Sequence, residues 1–169
     1  LRLVEFIEVF GKESHGDGCI YLTGGATALL HGWREMTVDV DIKADPEPAG
    51  FFENIAKLKD RLGVNIELAA PDQFIPALPN WKARSIFIGR FGKLDFYHYD
   101  PYSQALAKLE RGHPRDLSDV ESMCGEGLIK SDKLQALFDA VRGELIRFPS
   151  IEQTAFADAV ADWCARHPS

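Results

Sequence analysis

The chain has 169 residues, of which 46% are hydrophobic and 27% are charged, and its formal net charge is −7 at pH 7. This composition is that of an ordinary soluble globular protein, and the length allows one domain, or one compact domain with a helical appendage. The negative net charge argues against electrostatic binding of nucleic acid over a large surface, although it does not exclude a local basic groove.

The cysteines and the hydropathy pattern bear on location. Cys19, Cys124 and Cys164 are an odd number and form no CxxC pair, which indicates reduced, buried thiols rather than a disulfide framework or a zinc site. No apolar run reaches the length of a membrane span, and no signal peptide is visible, although the chain begins at Leu1 without Met. We therefore expect a cytoplasmic protein with no membrane partner.

The first part of the chain predicts a helix, a strand, a glycine turn and another short helix. Apolar residues recur at helical spacing over residues 1–12, and an apolar run at 19–22 predicts a strand. This strand ends at Gly24 and Gly25, and residues 26–33 suit a short helix packed on it. Two glycines between a strand and a helix let backbone N–H groups approach a phosphate closely.

The strand predicted at 37–43 has one apolar and one acidic face, because Asp39 and Asp41 alternate with Val40 and Ile42. Residues i and i+2 share one side of a strand, so the two acids lie about 6–7 Å apart at the backbone. They repel each other unless a cation lies between them, and Mg²⁺ prefers oxygen ligands completed by substrate phosphates. The alternation therefore predicts a magnesium site at Asp39 and Asp41.

Asp95 is a candidate third carboxylate. It lies between two apolar residues in a strand predicted at 93–99. If this strand pairs beside the strand at 37–43, Asp95 would complete a site for two metal ions about 3.5–4 Å apart, which in-line phosphoryl chemistry uses. Thr23 and Thr27 add hydroxyl donors near the glycine turn.

The remaining elements are strands and helices up to about residue 100, and helices thereafter. They are a helix at 51–62, a strand at 64–69, a proline-rich loop at 71–79, a hairpin with strands at 85–88 and 93–99, and helices at 101–111, 116–124, 131–146 and 150–166. Ser150 and Gln153 predict a capping box for the last helix. We expect an α/β (α+β) fold with a mixed sheet in residues 1–100 and a helical part, residues 101–169, packed on it.

Other motifs for phosphate or metal are excluded by position. A calcium loop of the EF-hand type that starts at Asp39 would need Glu where Gly50 stands. A P-loop would need its first glycine where Phe6 or Phe87 stands. Lys43 argues against a dehalogenase-type phosphatase, and glycosyltransferases with an Asp-x-Asp motif are usually longer chains.

The run YLTGGATALLHGWREMTVDVDI, together with the later LDF, resembles the nucleotidyltransferase superfamily related to DNA polymerase β. Within it, the run looks like minimal bacterial members, including AbiEii-type toxins of abortive-infection toxin–antitoxin systems. The run ALAKLERGHPRDLSDVESM is similar to a helical segment that follows the third carboxylate in those relatives. The resemblance covers roughly residues 20–125.

This resemblance implies an enzyme that moves a nucleotidyl group from an NTP to a hydroxyl acceptor, with Mg²⁺ or Mn²⁺ as cofactor and release of pyrophosphate. The implied metal ligands are Asp39, Asp41 and Asp95, and the implied nucleotide contacts are Gly24, Gly25 and Lys108, to which we add the hydroxyl of Thr27. Asp95 would also help to deprotonate the acceptor.

Several alternatives stay open at this point. Candidate acceptors are RNA such as tRNA, a protein or a small molecule, and a cognate antitoxin or toxin is a candidate partner. The fold is also compatible with a catalytically inactive antitoxin or interaction module, with the helices of 131–166 as its interface. Lys108 could be a solvated helix lysine, the Arg111, Arg115, Asp116 and Asp119 group a set of surface ion pairs, and Tyr97 or Tyr99 a stacking partner for a base.

Overall fold

The computed structural model describes residues 3–24, 27 and 39–169. The chain divides into two compact units, Leu1–Ala70 with Ser85–Tyr99, and Pro71–Arg84 with Asp100–Ser169. The second unit therefore contains the proline-rich segment that precedes the predicted hairpin, as well as the helical C-terminal part.

The first unit is built on a mixed five-stranded sheet with the strand order β3-β2-β1-β5-β4. Its elements are helices α1 (Leu3–Glu13) and α2 (Phe51–Leu62) and strands β1 (Gly18–Thr23), β2 (Asp39–Ala44), β3 (Asn65–Glu67), β4 (Ile86–Phe91) and β5 (Leu94–His98). Strand β1 runs antiparallel to β2 and parallel to β5, β3 runs parallel to β2, and β4 and β5 form the predicted hairpin. The predicted α/β class with a mixed sheet is confirmed.

One face of this sheet forms the hydrophobic core with α1 and α2. Seven residues of the sheet point to this core and are each at most 3% exposed, namely Ile20, Leu22, Val40, Ile42, Ile66, Leu94 and Phe96. Because successive side chains of a strand point to opposite faces, the residues between them occupy the other face. This other face, which we call the carboxylate face, carries Cys19, Tyr21, Thr23, Asp39, Asp41, Lys43, Asp95 and Tyr97.

The second unit is helical. Its elements are α3 (Trp81–Arg84), α4 (Pro101–Arg111), α5 (Pro114–Gly125), α6 (Ser131–Val141) and α7 (Gln153–Arg166), with 3₁₀ turns at Pro71–Gln73 and Arg142–Arg147. Among the described residues, no helix combines the length and the hydropathy that crossing a bilayer requires.

A buried carboxylate joins α3 to α4 within this unit. Asp100 is fully buried at the N-cap of α4, where it accepts hydrogen bonds from the backbone N–H of Tyr102 (3.1 Å) and from Ser103 Oγ (2.7 Å). Arg84 donates to both of its oxygens, at 3.1 and 2.8 Å. Since a buried charge is tolerated only when it is paired and hydrogen-bonded, Asp100 fixes the end of the proline-rich segment on α4.

Some predicted boundaries are wrong in the C-terminal part. The helix predicted at 131–146 ends at Val141, and a 3₁₀ turn continues the chain. The last helix begins at Gln153, and its N-cap is Glu152, whose side chain accepts a hydrogen bond from the N–H of Ala155. The predicted capping box is therefore replaced by a cap that begins two residues later.

Other differences concern the first half of the chain and the cysteines. Strand β3 is shorter than the predicted 64–69. The short helix predicted at 26–33 lies outside the described residues, except for Thr27. The three cysteines, which were expected to be buried, are each partly exposed.

Helix α1 meets the β4–β5 hairpin at two glycines. A Cβ atom at Gly11 would lie 2.1 Å from the carbonyl oxygen of Phe91, and one at Gly92 would lie 2.2 Å from the carbonyl oxygen of Gly11. Gly92 also has a φ of +59°, which side chains with a Cβ rarely adopt. Backbone therefore packs on backbone here, and the helix can approach the sheet closely.

Replacing Gly11 by Ala should lower the free energy of unfolding by about 2 kcal/mol, because the new methyl group forces α1 away from the hairpin. Urea denaturation followed by circular dichroism measures this. Gly125→Ala is the control, since a Cβ there meets nothing within 4 Å. If both variants unfold at the same urea concentration as the wild type, the close approach of α1 to the hairpin is refuted.

Candidate functional site

The two acids of β2 lie on the carboxylate face beside the end of β1. The antiparallel register places Thr23 opposite Asp41 and Tyr21 opposite Lys43. Asp39 is exposed and Asp41 is partly exposed, whereas Val40 and Ile42 are fully buried on the other face. The alternation read from the sequence therefore places both carboxylates on one side of the sheet.

Gly24 brings the turn after β1 against the Asp41 carboxylate. Its φ is +64°, and a Cβ atom added to it would lie 2.9 Å from Asp41 Oδ2. A side chain at this position would therefore fill the space beside the carboxylate. Only glycine allows both the left-handed backbone and this approach, so Gly24 and Asp41 form one local structure. The second glycine of the motif, Gly25, lies outside the described residues.

Strand β3 adds two polar residues that were not predicted from the sequence as part of the site. Its parallel register places Asn65 opposite Asp39 and Glu67 opposite Asp41. Asn65 Nδ2 donates hydrogen bonds of 3.0 Å to Asp39 Oδ1 and to Glu67 Oε1. The amide thus holds Asp39 in place and separates two like charges. The alternation around Ile66 indicates a strand, but no sequence pattern gives its register with β2.

The next row across the carboxylate face is aromatic. Phe87 of β4 lies opposite Tyr97 of β5, Tyr97 lies beside Tyr21 of β1, and Tyr21 lies opposite Lys43 of β2. The ring centroids are 5.4 Å apart for Phe87 and Tyr97 and 5.0 Å apart for Tyr97 and Tyr21. We call these three rings with Lys43 the aromatic row. Tyr99 is not part of the aromatic row. It is fully buried, and its ring contacts that of Tyr21 edge-on.

The tyrosines of this row are neutral at physiological pH. Burial, with a further contribution from the nearby Cys19, raises the pKa of Tyr21 to about 12. Burial, Cys19 and Asp95 also raise the pKa of Tyr97. Both hydroxyls therefore keep their protons and can donate hydrogen bonds.

Asp95 does not lie beside Asp39 and Asp41. The expectation that its strand pairs with β2 is corrected by the strand order, because β1 lies between β2 and β5. Asp95 lies opposite Cys19, four residues before Thr23, so its backbone is about 16 Å from that of Asp41 and the aromatic row lies between them. Its Oδ1 accepts a hydrogen bond of 3.2 Å from Arg90, which also contacts Asp17.

The Thr27 hydroxyl is buried and engaged within the fold. It donates to the carbonyl oxygen of Leu22 at 3.0 Å and lies 2.7 Å from His98 Nδ1. Since its proton goes to Leu22, it accepts from an Nδ1–H of His98. This contact joins Thr27 to β5, and it gives His98 a structural role.

Lys108, in the second unit, is neither exposed nor solvated. Its ammonium group lies 2.8 Å from Asp119 Oδ2, and both side chains are at least 93% buried. Nearby, the exposed guanidinium of Arg111 pairs with the buried carboxylate of Asp116. Although burial alone would raise the pKa of Asp116, the hydrogen bond and charge of Arg111 lower it. Asp116 and Asp119, which were expected in surface ion pairs, are thus buried, and each pairs with a cation of α4.

The donor set of β2 suits a hard cation. Two carboxylates on one face of a strand fit Mg²⁺, which proteins bind with one or two carboxylates while substrate phosphates supply further oxygens. Within residues 3–24, 27 and 39–169, no group of three or more His, Cys, Asp or Glu residues is arranged to hold a metal by itself.

Breaking the Lys108–Asp119 pair should destabilise the protein. Lys108→Met should lower the free energy of unfolding by about 3 kcal/mol, because the Asp119 carboxylate stays buried without its cation. The double variant Lys108→Met/Asp119→Leu should recover most of this loss, since no charge is then buried. Thermal and urea denaturation give the comparison. A single variant as stable as the wild type would contradict a structural role for the pair.

The chain is similar to a family of nucleotidyltransferases. The sequence profile of a family described as nucleotidyltransferase of unknown function (DUF6036) matches residues 1–164. No curated protein and no solved structure matches the chain. The match spans nearly the whole chain and includes both acids of β2 and the glycine turn. The chain therefore belongs to the DUF6036 family of nucleotidyltransferases.

Proposed function

We propose that this protein is a metal-dependent enzyme that transfers a nucleotidyl group from an NTP to a hydroxyl acceptor. Asp39 and Asp41 bind Mg²⁺ or Mn²⁺, and the turn at Gly24 and Gly25 receives the phosphates of the NTP. The family supports nucleotidyl transfer in general, and the metal and the residue roles are our proposal.

The observation that carries this proposal is the approach of Gly24 to Asp41. A side chain at Gly24 would lie 2.9 Å from Asp41 Oδ2, so the glycine itself puts no side chain beside this carboxylate. Backbone N–H groups in a glycine turn bind phosphate oxygens, and carboxylates bind the cation that accompanies a triphosphate. The two halves of such a site meet at this point.

The proposed reaction forms a bond between the acceptor oxygen and the α-phosphorus of the NTP. The bond from that phosphorus to the bridging oxygen of the β-phosphate breaks, pyrophosphate leaves, and the acceptor hydroxyl loses its proton to solvent or a nearby base. The metal supplies positive charge that offsets the charge of the phosphates. Asn65 keeps Asp39 oriented through its hydrogen bond to Oδ1.

Two predicted site residues are not part of this proposal. Asp95 lies beyond the aromatic row from Asp41 and pairs with Arg90. Lys108 pairs with Asp119, and its predicted contact with a phosphate stays a prediction from the resemblance.

Asp41→Asn should abolish transfer. Loss of one metal ligand removes several kcal/mol of charge stabilisation, so the rate should fall at least about a hundredfold. The assay incubates the protein with each α-labelled NTP, Mg²⁺, and total RNA or cell lysate as acceptor. Asp60→Asn is the control, because Asp60 is an exposed acid on α2. Transfer by the Asp41→Asn variant at the wild-type rate would refute the proposed site.

Gly24→Ala should weaken binding of the Mg–NTP complex. The matched control is Gly63→Ala, since Gly63 has nearly the same φ, +63°, but its Cβ would meet nothing within 4 Å. Both variants should lose about 1 kcal/mol of stability from the left-handed backbone. Only Gly24→Ala should reduce nucleotide affinity in calorimetry. Equal affinities for the two variants would show that the space beside Asp41 is not used.

A toxin role rests on the resemblance to AbiEii-type proteins alone. If the protein is a toxin, expression of the wild type should slow bacterial growth and expression of Asp41→Asn should not. If the two strains grow at the same rate while transfer occurs in vitro, the enzyme has another role.

A further inference from the structure

We propose that the aromatic row binds an unpaired base of the acceptor, and that the acceptor is a single-stranded nucleic acid. This inference rests on the proposed function, because it names the acceptor for the same carboxylate face. Its structural basis is the cross-strand order Phe87, Tyr97, Tyr21 and Lys43 on that face.

The solvent exposure of the rings decreases along the aromatic row from β4 to β1. Phe87 is 57% exposed on the edge strand β4, Tyr97 is partly exposed, and Tyr21 is 4% exposed next to the carboxylate strand. The Tyr21 and Tyr97 rings are nearly parallel, with 19° between their planes. The Phe87 ring meets Tyr97 edge-on, with 63° between their planes, so Tyr97 holds the edge of the exposed ring. Every base has a π face that can stack on an exposed ring held in this way.

The far end of the row lies too far from Asp41 to serve the NTP. An NTP whose α-phosphate lies at the metal carries its base only one ribose away. Phe87 lies three strands from β2, about 14 Å across the sheet. A strand of nucleic acid whose terminal hydroxyl reaches the metal can instead place a base further back along the chain on Phe87.

The charges of the protein favour binding of a single strand through base stacking. They do not favour binding of a duplex through its phosphates. Lys43 puts a positive charge at one end of the row, but Asp95 and Asp41 lie in the rows on either side. The whole chain has a net charge of −7, so few phosphates can be neutralised. Bases in a duplex stack on each other and are not available to side chains. We therefore expect binding with a weak dependence on salt concentration.

The test measures fluorescence anisotropy of a labelled single-stranded oligoribonucleotide with the wild type and with Phe87→Ala, without NTP. Phe87→Ala should weaken binding about tenfold, as loss of one stacked base does. Phe87→Tyr should keep wild-type affinity because it keeps the ring. Phe52→Ala is the control, since Phe52 is 60% exposed on α2.

Calorimetry with Mg–NTP separates this inference from the proposed function. Phe87→Ala should leave NTP affinity unchanged. If it lowers NTP affinity instead, the row holds the base of the NTP and the acceptor assignment is wrong. If the wild type binds Mg–NTP but no RNA, or if duplex RNA of the same sequence competes equally, the inference fails while the proposed function stands. If the wild type binds no Mg–NTP, the proposed function itself fails.

Discussion

Thr23 lies opposite Asp41 in the antiparallel pair of β1 and β2, and the candidate site depends on this register. A shift of one residue would turn the acids of β2 into the core and its apolar residues outward. The register is held by the buried side chains Leu22, Val40 and Ile42 on the opposite face. The hydrophobic core therefore positions the carboxylates, and it also places Gly24 at the end of β1, against Asp41.

The strand order then decides what surrounds the acids. Because β1 lies between β2 and β5, the neighbours of Asp41 on the carboxylate face are Thr23 on one side and Glu67 on the other. The adjacent row is aromatic and ends at the edge strand. The face thus changes over a few residues from acidic to aromatic, which fits a substrate with both phosphates and bases.

Much of this could be read from the sequence, because it depends on local patterns. Alternation around Val40 predicts the shared face of Asp39 and Asp41, and Gly24 follows an apolar strand. Asp95 shows the limit of such patterns, since its own alternation is correct but its neighbours depend on long-range strand order. The same holds for Asn65, whose contact with Asp39 requires a register between strands that are 20 residues or more apart in sequence. The burial of Lys108 could not be predicted either, because nothing about a lysine on a helix indicates that it forms a buried pair with Asp119.

The most direct test of this arrangement is the affinity of the Mg–NTP complex for Asp41→Asn and Asp95→Asn, measured by calorimetry beside the wild type. The structure predicts that Asp41→Asn loses magnesium-dependent nucleotide binding and that Asp95→Asn keeps it, since the aromatic row separates Asp95 from the glycine turn. Loss of binding in Asp95→Asn with retention in Asp41→Asn would contradict the account.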